Sequence, residues 1–136
     1  MRFMIIVKGG RNSEAGVMPS QDVFNAMADY HEQLAKAGVL LDANGLQPSS
    51  KGWRVQYSGG RRSVVDGPFA EAKELIAGYT IITVRSREEA AEWVNRMPNP
   101  HLEDGVIEVR QLFELEDFGE NPAIDRFREI GVGQEK

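Results

Sequence analysis

VVDGPFAEAKELIAGYTIITV, residues 64–84, sets two strand-forming runs on either side of an insert that is too long for a turn. Val64-Val65 and Tyr79–Val84 are rich in β-branched residues, as strands are. A plain hairpin connection takes about two to five residues. Here the gap holds Asp66, Gly67, Pro68, Phe69, Glu71, Lys73 and Glu74. An acid, a Gly-Pro turn and a cluster of charges therefore stand where a short loop would serve.

Upstream of this stretch, Arg54–Tyr57 and Arg61–Val65 alternate and are joined by Ser58-Gly59-Gly60, a hairpin signal. Phe3–Val7 (FMIIV) is a short apolar run closed by Gly9-Gly10, which predicts a first strand, and residues 9–19 lack periodicity and predict a loop. Ser20 can cap a helix in which Val23, Met27, Leu34 and Ala37 share a face, with Tyr30 and His31 on its flanks and Gly38 at its end. VLLDANGL starts a strand that breaks at Asn44-Gly45.

Gly78–Val84 is the next strand. Ser86-x-x-Glu89 has the capping-box pattern for a helix stopped by Pro98 and Pro100, and Val106–Phe113 is the last strand. Asn121-Pro122 reads as a cap and first helical residue for a short C-terminal helix within 119–136, with Gln134-Glu135-Lys136 fraying beyond it.

The order strand, helix, strand or hairpin, strand, helix, strand predicts an α+β fold, a ferredoxin-like split βαβ with an antiparallel sheet and helices on one face. Phe3, Ile5 and Val7 point one way and Met4 and Ile6 the other, while Ile81 and Ile82 oppose each other, so both faces of the sheet are apolar. Two helices cover only one face. A second copy is the simplest cover for the other. About 800 Å² per partner at ~25 cal/mol per Å² gives on the order of 20 kcal/mol before ordering costs. A homodimer with sheets packed face to face is expected.

At 136 residues the chain is expected to be one domain. Sixteen Lys and Arg against 21 Asp and Glu give a net charge of −5, and the basic residues are scattered, which argues against nucleic acid as a partner. The absence of cysteine excludes disulfides, thiolate nucleophiles and sulfur-ligated metals. No apolar run approaches the ~20 residues of a membrane span, and MRFMIIVKGG lacks a signal-peptide cleavage pattern. A cytoplasmic protein that engages no membrane is expected. GxSxG, GxxxxGK and GxGxxG signatures are absent, and the two histidines and scattered carboxylates, HLED included, make no metal signature. No cofactor or metal is expected.

The string VVDGPFAEAKELIAGY resembles the DGPF-domain branch of the YciI-related (YCII) family. The likeness extends to AKAGVLLDANGLQPSSKG, EAAEW, GVIEVRQL and EDFG, over about residues 1–118. It implies a ferredoxin-like subunit pairing into a dimeric α+β barrel, and a link to extracytoplasmic-function sigma factors. In the wider family a His–Asp pair is the proposed catalytic dyad, and one relative is similar to a dehydrochlorinase of chlorinated aromatics. The histidine's place, about ten residues before the alanine of the AG-ending segment, is Met27 here; His31 follows one helical turn along.

Each candidate residue admits a structural and a chemical role. Asp66 either caps a turn or acts as a base or ligand-orienting carboxylate at the mouth of the barrel. Lys73 either forms a surface ion pair with Asp66 or Glu71, or stabilises an anion. His31 is either a half-buried structural histidine or a proton shuttle. Glu71, Arg54 and Tyr79 are candidate ligand contacts, Tyr79 and Trp53 as pocket walls and Arg54 steering an anion; His101 reads as a cap or solvent contact. Two functions stay open: an enzyme of lyase- or dehalogenase-like acid–base chemistry on a small organic molecule, and a non-catalytic small-ligand-binding or regulatory dimer.

Overall fold

The computed structural model describes residues 1–101 and 103–135; Leu102 of the HLED segment and Lys136 of the tail lie outside the described residues. Strand β1 (Arg2–Lys8) is followed by a four-residue helix α1 (Arg11–Glu14) and the long helix α2 (Gln21–Lys36). Then come β2 (Leu40–Gly45), β3 (Trp53–Ser58), β4 (Arg61–Asp66), β5 (Ile76–Thr83), α3 (Arg87–Asn95), β6 (Ile107–Gln111) and α4 (Pro122–Glu129). Four strands form one antiparallel sheet in the order β2-β5-β1-β6, the ferredoxin-like arrangement. β3 and β4 stand apart as a two-stranded ribbon. The insertion between β2 and β5 is therefore a whole hairpin with its return loop.

Local signals place most of these elements. Ser20 accepts a hydrogen bond from the Val23 N–H, and Asn121 accepts one from Ala123 ahead of Pro122. Ser86 accepts from the Glu89 N–H, but the Glu89 carboxylate accepts from Arg85 N–H, one residue before the cap. The ribbon turns on Gly59 and Gly60, both at positive φ (57° and 76°), as a two-residue hairpin turn requires.

The structure departs from the sequence reading in several places. Residues 11–14 are helical rather than loop, closed by Ser13, whose hydroxyl donates to the Gly10 carbonyl and accepts the Gly10 N–H. β2 runs on through Asn44-Gly45 because its backbone pairs with Tyr79 and Gly78 of β5. Tyr30 is a core residue at 3% exposure rather than a flank, whereas Ala37 ends α2 exposed to solvent.

Phe3, Ile5, Leu34, Ile82 and Ala90 form the core between the sheet and its two covering helices, α2 and α3. The Tyr30 hydroxyl donates to the Trp93 carbonyl at 2.7 Å and ties those helices together. On the opposite sheet face Met4, Ile81 and Tyr79 are only half-buried. They sit in register with Asp42, Asn44 and Arg110. Beyond β6, buried Arg2 donates to Glu114 at 2.8 Å and to the Phe113 carbonyl, fixing the start of the C-terminal segment. Among the described residues no helix is long and apolar enough to cross a membrane.

Candidate functional site

A cavity of about 740 Å³ opens between α2 and the end of the sheet where β1 stops and β5 begins. Its wall comes from distant parts of the chain: Val7, Phe24, Met27 and His31, then Thr80 and His101. Residues of α1 and the loop after it, from Gly10 to Pro19, and the end of β2 with the segment beyond it, residues 45–48, complete its rim. Apolar side chains predominate, and among the described residues that line it there is no Lys or Arg, with Glu103 the one carboxylate. Such a wall favours a mostly apolar ligand held by a few polar groups. An unpaired carboxylate or phosphate would be costly to desolvate there.

The polar pair in this wall is His31 and Thr80. His31 Nδ1 lies 2.7 Å from the carbonyl oxygen of Met27, one turn back on α2. A carbonyl only accepts, so Nδ1 carries the proton and Nε2 of the neutral ring is left to accept. Thr80 Oγ1 is 2.9 Å from Nε2 and donates to it. Thr80 is 3% exposed and lies on the helix-facing side of β5, the parity of Ile82, so its hydroxyl needs a partner and finds it in the imidazole. Hydroxyl, imidazole and orienting carbonyl are thus arranged in series, the geometry of an assisted proton transfer.

His101 also lines the cavity. Its Nε2 donates to the Lys8 carbonyl at 2.9 Å, and its backbone N–H donates to the Asn99 side-chain oxygen. On sequence His101 read as a cap or solvent contact; in the fold it clasps the end of β1 and joins the rim.

Of the sequence candidates, the structure brings His31 to this cavity; Tyr79 borders it where β5 passes, but its parity turns the side chain to the opposite sheet face. The Tyr79 hydroxyl donates to Asp42 at 3.2 Å and accepts from Asn44 at 3.0 Å. Asp66, Lys73, Glu71 and Arg54 do not line the cavity. Asp66 is exposed at the end of β4, opposite Trp53. Arg54 stacks its guanidinium 3.8 Å above the Phe69 ring. Glu71 holds a left-handed φ of 60°, and Lys73 follows in the short 3-10 turn Ala72–Glu74, both exposed. Among the described residues no ion pair joins Lys73 to Asp66 or Glu71.

What the Gly67-Pro68-Phe69 elbow does is grip the rim. The Gly67 N–H donates to the Gly52 carbonyl, and the Phe69 N–H donates to Ser49 Oγ at 3.0 Å. The Ser49 hydroxyl and N–H both donate to the carboxylate of Glu14 at the end of α1. Pro48, the neighbour of Ser49, lines the cavity.

Sequence reasoning passed over Thr80, Ser49 and Glu14. Only Thr80 left a readable signal: a lone hydroxyl at buried parity inside GYTIIT.

The YCII-related domain profile matches residues 1–116. An uncharacterised protein of Rhizobium meliloti (strain 1021) is 31% identical over 90 residues, which cover 66% of this chain and 73% of that protein. Among solved structures, 5-chloro-2-hydroxyhydroquinone dehydrochlorinase from Burkholderia phenoliruptrix AC1100, in complex with 2,5-dihydroxybenzoquinone, aligns over 84% of this chain and 95% of its own. That alignment has a TM-score of 0.46 and 16% identity. The chain belongs to the YCII-related family.

Proposed function

We propose that the chain binds a small, mostly apolar, uncharged organic molecule in the cavity and removes a proton from it through Thr80 and His31. The observation that carries this is His31, set with one nitrogen fixed on the Met27 carbonyl and the other on the Thr80 hydroxyl at the wall of an apolar cavity. A proton taken up by Thr80 as its own passes to Nε2 leaves an imidazolium, which the Met27 carbonyl stabilises. Departure of a leaving group from the adjacent substrate atom completes a lyase-type step, and the imidazolium then releases its proton to solvent. The Asp66-Gly67-Pro68-Phe69 string supports placing the chain in the DGPF-bearing branch of its family.

The test is a thermal-shift screen of neutral phenols and other uncharged aromatics against benzoates of the same size. Neutral compounds should raise Tm and benzoates should not. Met27→Trp, which crowds the wall beside His31, should reduce the shift. Preferential binding of benzoates, or a shift undiminished by Met27→Trp, would overturn the proposal.

We further propose that the working form is a homodimer paired through the sheet face opposite the helices. Half-buried Met4, Ile81 and Tyr79 on that face support it. Sedimentation should report twice the 15.2 kDa of the chain; a lone monomer at micromolar concentration would refute it.

A further inference from the structure

We propose that the β3–β4 ribbon is an intersubunit arm, and that its Trp53, Val55, Tyr57 and Val64 face packs on a second copy of this chain. Residues opposite one another in an antiparallel pair share a face. The register Trp53 with Asp66, Val55 with Val64 and Tyr57 with Arg62 therefore gathers these side chains on one side. Within the single chain that side is open: Trp53 is 66% exposed, Tyr57 73% and Val64 63%. The other side is tied down at its base, where Arg54 stacks on Phe69.

A two-stranded ribbon without cover is marginal in water, and a contiguous aromatic face of this kind marks an interface. Trp53 and Tyr57 offer on the order of 300 Å² per arm. Two arms with the surface they cover reach about 1,200 Å², the lower bound of a specific interface.

Charge and symmetry choose the occupant. On the docking face the register leaves Arg62 balancing Asp66, with Arg54 and Arg61 on the other side, so that face is electrically neutral and suits a matching apolar surface rather than a charged one. The same chain also leaves a sheet face half-buried, and one two-fold pairing satisfies both surfaces at once. The inference rests on the homodimer proposed above, and adds the part of the chain that reaches across.

Sedimentation equilibrium of the wild type and of the Trp53→Glu/Tyr57→Glu double variant tests it, with circular dichroism confirming the fold. Two central aromatics lost from an interface should weaken dimerisation by about 100-fold or more. A wild-type dimer whose double variant dissociates at an unchanged constant overturns the arm and leaves the dimer standing. A monomeric wild type overturns both and assigns the face to some other partner. Should the double variant misfold, Tyr57→Cys introduces the sole thiol of the chain. Its maleimide labelling should be slow in concentrated solution and rise as dilution separates the copies. A labelling rate independent of concentration overturns the arm.

Discussion

Glu14 holds Ser49 with both carboxylate oxygens, one accepting the backbone N–H at 3.0 Å and the other the hydroxyl. The same hydroxyl oxygen accepts the N–H of Phe69, so a hydrogen-bonded run joins α1, the cavity rim and the elbow after β4. Hydrogen bonds to a charged group contribute about 1.5–3 kcal/mol, and orphaning a buried donor costs about 1–3 kcal/mol. Glu14→Ala and Ser49→Ala should each lower stability by about 2 kcal/mol. Because they break one network, the double variant should fall well short of the sum. Urea unfolding of the four proteins checks this, with additive losses as the refuting outcome.

Gly67 admits no side chain. A Cβ built there would stand 1.8 Å from the Ser49 carbonyl oxygen, which is backbone and cannot swing away. Gly67→Ala should cost about 1–3 kcal/mol through forced displacement of the elbow. It should also speed amide exchange at Phe69, whose N–H would lose Ser49. Unaltered exchange there would show that the elbow tolerates the methyl.

Thr80→Val keeps the shape and removes the hydroxyl, leaving His31 Nε2 without its donor. We expect a loss of about 1 kcal/mol in stability, together with loss of turnover once a substrate is in hand. Thr80→Ser should restore both. Equal turnover in the Val and Ser variants would remove the hydroxyl from the proton path.

Burial pushes the Tyr30 phenol up from 10.0 to about 12, opposed by the positive charge of Arg96. The folded chain therefore holds this proton more tightly than the unfolded chain. The corresponding stability is complete below pH 10 and is lost as pH rises from 10 towards 12. Tyr30→Phe should be less stable at neutral pH, since the Trp93 carbonyl loses its donor, and should lose less on going from pH 10 to 12 than the wild type. Parallel wild-type and variant curves over that interval would contradict the shift.

How far the sequence could be read depended on the reach of each signal. β1, the Gly59-Gly60 hairpin and the caps at Ser20, Ser86 and Asn121 depend on neighbours within a few residues, and these were visible. α1 was not, because four residues carry no apolar period and its closure depends on one Ser13–Gly10 exchange. Tyr30 was misplaced because a helical wheel cannot say how far α3 lies around the stripe; Trp93 decides it from 63 residues away. His31 was visible as a titratable group, but its partner Thr80 is 49 residues on and became a partner only through the pairing of β5 with β1. The charges around Asp66 drew attention by composition, while the cavity assembled from Val7, Phe24, Thr80 and His101, which no local pattern unites.

The run Glu14–Ser49–Phe69 also makes the rim and the ribbon one lever with its fulcrum at the serine. Prising the mouth apart to admit a guest should tilt the ribbon, so loading the hollow should register as altered amide protection along its ladder as far as the Ser58–Arg61 pair, remote from the guest itself.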